Sequence, residues 1–284
     1  MRGVPTGYLA VARQGWSVWV DPGWADRVGI LVAAAADASG WIHRSKHART
    51  RVLEVANRRV YLKAYHRYRW RDVALEIVRP TKAERALRMS LALERLGLRA
   101  PRPVACGVRR RWGVVRGAFL VTEDVEARDV RCSLSELGSR RSPMEKRRML
   151  RRLGAEVATL HEAGIYHGDL VPPNVRVRGD GDAVELVFMD HDRTRLCRGV
   201  VSLRRARRNL VQLNRFVVPT VTATDRWRVF RAYCQTRRLD ARVAERLARR
   251  VIKGTVQRRR VLDGIEQAER LSFRMLMRTS GPQS

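Results

Sequence analysis

From Trp41 to Thr122 stretches of alternating apolar and polar residues flank one helical segment, and beyond Glu126 apolar residues recur mainly at helical spacing. Arg51 to Val55 reads as a strand, Asn57-Arg58-Arg59 as a turn, and Val60-Tyr-Leu-Lys-Ala-Tyr65 as a second strand rich in β-formers. Residues 81–96 follow Pro80 and stop at Gly97, which predicts a helix capped by Thr81. Val104 to Val108 and Gly113 to Thr122 read as further strands, and Glu123 to Glu126 is a polar break and candidate hinge. After it, Pro143 to Ala163 is helical, with Leu150, Leu153, Val157 and Leu160 on one face. Val175 to Val177 and Leu186 to Met189 are short strands around the turn 179–182. Helices follow at Leu203–Phe216, Thr224–Gln235 and Asp240–Ile252, then a frayed tail. Residues 1–40 show little periodicity and read as an irregular N-terminal extension holding Trp16, Trp19 and Trp24. The expected class is α+β. Residues 41–124 form a small β-rich lobe with one helix, and residues 125–284 a mainly helical lobe.

Composition narrows this picture. Apolar residues make up 45% of the 284, which supports a packed core and excludes general disorder. The apolar run near Val28 to Ala36 is too short to span a bilayer, and the N-terminus lacks the order of a secretion signal. Cys106, Cys132, Cys197 and Cys234 lie far apart without metal-ligand spacing, which fits a reducing compartment and neither a disulfide framework nor a zinc site. Fifty-nine Lys and Arg against 28 Asp and Glu leave a net charge of +31, spread along the chain. Such a field favours polyanions: nucleic acid, nucleotide phosphates or anionic lipid. A nucleic-acid function is disfavoured, because no helix-turn-helix, zinc finger or aromatic binding strip accompanies the charge. Only five of the cations are Lys, so one kept inside an apolar strand, Lys63, is informative.

The densest local chemistry lies in Tyr166-His-Gly-Asp-Leu-Val-Pro-Pro-Asn174. It puts a carboxylate, Asp169, and a carboxamide, Asn174, in one loop between a helix and a strand. Phosphoryl transfer needs both groups. The carboxylate orients and deprotonates an attacking hydroxyl, and the amide oxygen ligates magnesium. Asp190 closes the apolar strand Leu186-Val-Phe-Met and supplies a second ligand for a hard cation. Upstream, Lys63 sits on its strand and Glu84 in the first turns of the 81–96 helix. Their pairing points the ammonium towards nucleotide phosphates.

In this order these residues resemble the protein-kinase-like superfamily, and within it the bacterial lipopolysaccharide kinases, over residues 41–235. The likeness lies in Val-Tyr-Leu-Lys-Ala-Tyr-His66, Ala83-Glu84-Arg85, Leu96-Gly-Leu-Arg-Ala-Pro-Arg-Pro103, His161-Glu-Ala-Gly-Ile-Tyr-His-Gly-Asp169 and Met189-Asp-His-Asp-Arg193. Arg207 to Arg215 and Phe230 to Tyr233 resemble that family's helical tail. The resemblance implies a protein-kinase-like two-lobe fold and a kinase using ATP and magnesium on inner-core heptose or 3-deoxy-manno-octulosonic acid. The work would be done at the cytoplasmic face of the inner membrane, with peripheral contact to anionic lipid. It implies Lys63 on the α/β-phosphates, Glu84 as its ion-pair partner, Asp169 as catalytic base, and Asn174 and Asp190 as magnesium ligands.

The sequence departs from the protein-kinase pattern in places. The phosphate-loop stretch Ser45 to Arg51 has no glycine, so Lys46, Arg49 and Arg51 stand in as charges. Gly168 replaces the catalytic-loop Arg, which argues against control by a phosphorylated activation segment. His191 and Asp192 replace the Phe and Gly of Asp-Phe-Gly. Asp192 is expected to pair with Arg193 or Arg195 rather than bind a second metal, and His167 to be a packed loop-former. Two alternatives keep the same fold: a phosphotransferase of the aminoglycoside or sugar type, and a catalytically weak kinase-like binding protein. For Arg204-Arg-Ala-Arg-Arg208 the reading is a core helix with a solvated basic face, with contact to anionic lipid as the alternative.

Overall fold

The computed structural model describes residues 3–45, 48–65, 79–140, 142–180, 183–215 and 217–262. The chain divides into two compact units. One comprises Met1–Glu126 with Asp190–Arg193, the other Ala127–Met189 with Thr194–Ser284.

The first unit is built on a seven-stranded antiparallel sheet. Its strands are β1 (Leu9–Arg13), β2 (Trp16–Val20), β3 (His43–Arg44), β4 (Ala48–Val55), β5 (Arg58–Tyr65), β6 (Pro103–Arg111) and β7 (Val114–Glu123), in the order β1-β2-β6-β7-β5-β4-β3. Two-residue period sorts each strand onto two faces. Val60, Leu62 and Ala64 of β5 join Trp16, Val18 and Trp24 in a core covered by helix α1 (Val28–Ala36). Tyr65, on the opposite face, packs with Trp19, Cys106 and Leu120 under helix α2 (Lys82–Arg95). Residues 1–40 are therefore not an irregular extension. They supply two strands of the main sheet and the helix that closes one of its faces, and the unit holds two α-helices among its described residues, not one. The tryptophans are core anchors: Trp16, Trp19 and Trp24 are all buried, with the Trp16 ring 5.1 Å from that of Phe119.

Helix α2 starts where its capping residues place it. Thr81 accepts a hydrogen bond from the Glu84 amide, and the Glu84 carboxylate accepts one from the Thr81 amide. This capping box satisfies two of the helix's orphan donors and is worth about 1 kcal/mol. Gly97, at φ 69°, ends the helix in the left-handed region.

The second unit contains helices α3 (Val130–Ser139), α4 (Pro143–Glu162), α5 (Leu203–Asn214), α6 (Ala223–Thr236) and α7 (Ala241–Leu262). Its strands are β8 (Arg128–Asp129), β9 (Ile165–Tyr166), β10 (Val175–Arg178), β11 (Glu185–Phe188) and β12 (Arg195–Leu196). They form a three-stranded sheet, β11-β10-β8, and the pair β12-β9. Helices α4 and α6 meet at Gly154, where a Cβ would stand 2.2 Å from the Val229 carbonyl oxygen. Only glycine permits that approach. Helix α3 precedes Pro143 in a stretch to which the sequence pattern assigns no element, and α7 runs ten residues beyond its expected end at Ile252. Residues of the expected tail after Leu262 lie outside the described residues.

Candidate functional site

In the first unit, β5 carries Lys63 and Tyr65 on the face that packs under α2. The turn His191–Arg193 packs against the same helix. Lys63 Nζ lies 2.8 Å from Asp190 Oδ1 and 2.7 Å from Asp192 Oδ2, and the Tyr65 hydroxyl donates to Asp192 Oδ1 at 2.6 Å. Burial alone would lower the lysine's pKa, but the two carboxylates outweigh it and hold it above the ordinary value. Burial raises Asp192, against the pull of Lys63, and raises Tyr65 further still. Lys63 is thus a fixed cation. Asp190 itself sits at φ 58°, a left-handed conformation that Asp tolerates better than most residues.

Three expectations are corrected here. Glu84 is not the ion-pair partner of Lys63. It is 2% exposed, and its carboxylate serves the α2 capping box while Asp190 and Asp192 hold the lysine. Asp192 pairs with Lys63 and Tyr65, not with Arg193 or Arg195. Arg49 and Arg51 lie within strand β4 rather than in a phosphate-binding turn. The Arg49 guanidinium stacks 4.0 Å from the Trp41 ring, and Arg51 binds Asp37 and the Ala34 carbonyl. Lys46 and His66 lie outside the described residues.

In the second unit the loop Tyr166–Asn174 is held almost wholly through its backbone and its buried His167. The Asp169 amide donates to His167 Nδ1 at 3.3 Å, so the other ring nitrogen, Nε2, donates to the Met189 carbonyl at 2.9 Å. The ring is a packed loop-former. Asn174 Nδ2 donates to the Asp169 carbonyl at 2.9 Å, and its backbone carbonyl accepts from the Met189 amide at 2.8 Å. The amide nitrogen being spent, the Asn174 side-chain oxygen is what remains for a cation. Among the described residues no group pairs with the half-buried Asp169 carboxylate.

A buried polar chain that the sequence reading missed anchors this loop. Arg237 donates to the Tyr233 hydroxyl at 3.0 Å, which meets His161 Nδ1 at 2.9 Å. His161 Nε2 meets Asn209 Oδ1 at 3.0 Å, and Asn209 Nδ2 donates to the His167 carbonyl and to Gln212. Gln212 in turn receives the Leu170 amide and donates to the Gly168 carbonyl, both at 3.3 Å. Since Asn209 gives both its protons elsewhere, its oxygen accepts, and the chain of donors runs from Arg237 to the loop with a neutral imidazole in the middle. The available signal was a polar residue at a core position. Asn209 is three residues after buried Ala206, and His161 four after buried Val157.

Burial, partly offset by the Asn209 bond, pulls His161 down to about 4. An unfolded histidine titrates near 6.5, so the folded state binds the proton less readily than the unfolded one. The stability this site contributes is complete above pH 6.5 and is lost as pH falls towards 4, on the order of 3 kcal/mol. Urea unfolding across that window should show His161→Gln losing less stability on acidification than the wild type. Parallel pH profiles would refute this origin.

Magnesium, the metal expected from the sequence, takes one or two carboxylates plus waters and phosphate oxygens rather than a full protein cage. Among the described residues no group of three or more His, Cys, Asp or Glu comes together as a metal cage. The oxygens present fit the lighter requirement. Asp190 and Asp192 already converge on one cation, the Lys63 ammonium. The second unit also holds an apolar pocket of about 90 Å³ lined by Val130, Leu134, Leu153, Pro172, Leu210 and Phe230, with Arg131 and Arg226 among its polar lining.

A large antiparallel sheet carrying a lysine, in a chain that continues into a helical unit with a carboxylate-bearing loop, is consistent with a kinase-like fold. The chain matches the lipopolysaccharide kinase (Kdo/WaaP) family over residues 33–233, well over half its length, and belongs to that family. It is therefore a phosphotransferase acting on a sugar hydroxyl, with ATP as the donor that a kinase implies. Solved structures similar to it include one described as WaaP in complex with acyl carrier protein. That match has a TM-score of 0.62 and 20% identity over 83% of this chain and 97% of the other, a likeness of fold. Comparison with curated proteins gives no match.

Proposed function

We propose that the protein transfers the γ-phosphoryl group of ATP to a sugar hydroxyl of the lipopolysaccharide inner core, at the cytoplasmic face of the inner membrane. The observation that carries the reading is the loop that fixes Asp169 by its backbone and, among the described residues, leaves its carboxylate unpaired, in a chain of this family. Asp169 accepts the proton of the attacking hydroxyl. Lys63 places positive charge on the α/β-phosphates, and Asp190 and Asn174 are the oxygen ligands for magnesium. When bound, the metal neutralises charge on the transferring phosphoryl group. In this reading the unit with the large sheet is the nucleotide lobe and the helical unit the catalytic lobe of a protein-kinase-like pair. The family match argues against the aminoglycoside alternative, and the retained Lys63, Asp169, Asn174 and Asp190 against a binding-only role. The test is transfer of labelled phosphate from ATP to extracted lipopolysaccharide with a phosphate-free core. Label on the core supports the reading. Label on an aminoglycoside and none on the core overturns it.

The proposed association is peripheral; among the described residues no helix is long and apolar enough to cross a membrane. Helix α5 buries Ala206, Asn209, Leu210 and Val211 and turns Arg204, Arg205 and Arg208 to solvent, so it is a core helix with a basic outer face. Each such arginine contributes roughly 1 kcal/mol at an anionic surface, within a Debye length of about 8 Å. Neutralising Arg204, Arg205, Arg207 and Arg208 is expected to weaken binding to anionic vesicles and spare phosphorylation of a soluble core fragment. Loss of both activities together would point to a folding role for the helix.

The solved neighbour adds a second element. WaaP was solved with acyl carrier protein. The apolar pocket beside Pro172 has the lining an acyl chain requires. In the proposed reading this pocket takes an acyl chain, which intact-mass analysis of the purified protein under native conditions would reveal.

A further inference from the structure

Strands β6 and β7 are joined by a two-residue turn, Trp112-Gly113, with Arg111 paired to Val114. Both turn residues have positive φ, 50° and 75°. Such turns favour Asn-Gly or Asp-Gly, and a bulky side chain at positive φ is an outlier. Two other tight hairpins of the sheet use Gln14-Gly15 and Ala56-Asn57. Trp112 gains nothing from packing to offset the misfit. It is 84% exposed, and among the described residues its ring meets the Arg111 guanidinium, 4.6 Å from the centroid. Trp16, Trp19 and Trp24 are by contrast all in the core.

The surroundings of the tip are basic. From Pro103 to Thr122 the chain has no acidic residue, while Arg109, Arg110, Arg111 and Arg116 flank the turn. The register Arg13↔Trp16↔Arg109 sets the β1–β2 hairpin end alongside. Among the described residues Arg13, Arg109, Arg111 and Arg116 form no ion pair. A solvated tryptophan at a hairpin tip flanked only by cationic side chains among its charged neighbours in sequence has the chemistry of a membrane–water interface anchor. The indole settles at headgroup depth and the guanidinium groups meet lipid phosphates. Single-stranded nucleic acid needs a groove with several aromatic platforms, and this tip offers one ring.

We propose that the Trp112 hairpin tip is the membrane-inserting contact of this protein and that its partner is the surface of an anionic bilayer. The inference rests on the membrane-face part of the proposed function and names the surface that performs it.

The test uses the full chain and sedimentation with vesicles of phosphatidylcholine alone or mixed with phosphatidylglycerol. Trp112→Asn suits the turn better than the native residue, so its melting temperature should be unchanged or higher while its partition to anionic vesicles falls roughly tenfold. Arg109→Gln with Arg111→Gln should lower partition by about fivefold per arginine. Brominated lipid should quench the wild type more than Trp112→Asn. Transfer from ATP to a soluble sugar fragment should be the same in all three proteins. Undiminished partition of a folded Trp112→Asn variant, with binding lost only on neutralising α5, overturns the hairpin and leaves peripheral binding standing. Failure of the wild type to bind any vesicle overturns both. A variant that loses oligonucleotide binding and keeps vesicle binding overturns the lipid partner. Vesicle binding that behaves as expected, with no phosphate transfer to core sugars, defeats the kinase reading alone.

Discussion

Asp169→Asn is expected to leave the protein folded and able to bind ATP while phosphoryl transfer falls about 10²–10⁴-fold, the usual worth of a positioned general base. The structure isolates the effect. Residues 167–174 are held by the His167 ring between the Asp169 amide and the Met189 carbonyl, by the Asn174 amide on the Asp169 carbonyl, and by Asn209 and Gln212 on the backbone of residues 167–170. None of these bonds uses the Asp169 carboxylate. An amide of the same shape keeps the loop and cannot take the hydroxyl proton. The thermal midpoint and the ATP dissociation constant should match the wild type, with the whole loss in kcat. Asn209→Ala offers the contrast. It cuts the chain from Tyr233 to the His167 carbonyl, so it should lower both stability and rate. Near-wild-type turnover by Asp169→Asn would remove this residue from the reaction.

Asp190→Asn is expected to abolish most of the magnesium-dependent gain in nucleotide affinity, at least on the order of the 10–100-fold that supporting groups of metal sites contribute. Asparagine is chosen over alanine because Asp190 has φ 58°, a conformation asparagine adopts readily and alanine adopts at a cost of roughly 1 kcal/mol. Nucleotide titrated with and without magnesium reads the effect. Asp192→Asn is the companion. Its carboxylate binds Lys63 and the Tyr65 hydroxyl, so its loss should disturb the lysine and weaken nucleotide binding whether or not magnesium is present. An Asp190→Asn protein with unchanged magnesium dependence, and an Asp192→Asn protein that has lost it, would exchange the two roles.

The elements most legible in the sequence were those with local signals. Thr81 and Gly97 bracket α2 to the residue, and alternation marks β4 through β7. What stayed hidden depends on distant contacts. Helix α1 reads as featureless because its outward positions are alanine and Ile30, and the buried spacing Val28, Leu31, Val32, Ala35 emerges only against the sheet. Chain order brings Lys63 and Glu84 together, but the capping box satisfies the glutamate locally, and a turn far along the chain supplies the lysine's partners. Arg49 looked available as a loop charge until β4 placed it over Trp41. The motif carrying Asp169 and Asn174 was plain. The helix residues that brace it, His161, Asn209, Gln212 and Tyr233, meet only when α4, α5 and α6 pack.

The central claim, an Asp169-dependent kinase for core sugars, is tested most directly by one side-by-side measurement. Wild type and Asp169→Asn are given γ-labelled ATP and phosphate-free inner-core lipopolysaccharide at saturating nucleotide, and label recovered on core monosaccharides is followed with time. Labelled heptose or 3-deoxy-manno-octulosonic acid from the wild type, formed about 10²–10⁴-fold more slowly by the variant, is the predicted result. Equal labelling by the two proteins, or ATP consumed by the wild type with no label on the core, would contradict it.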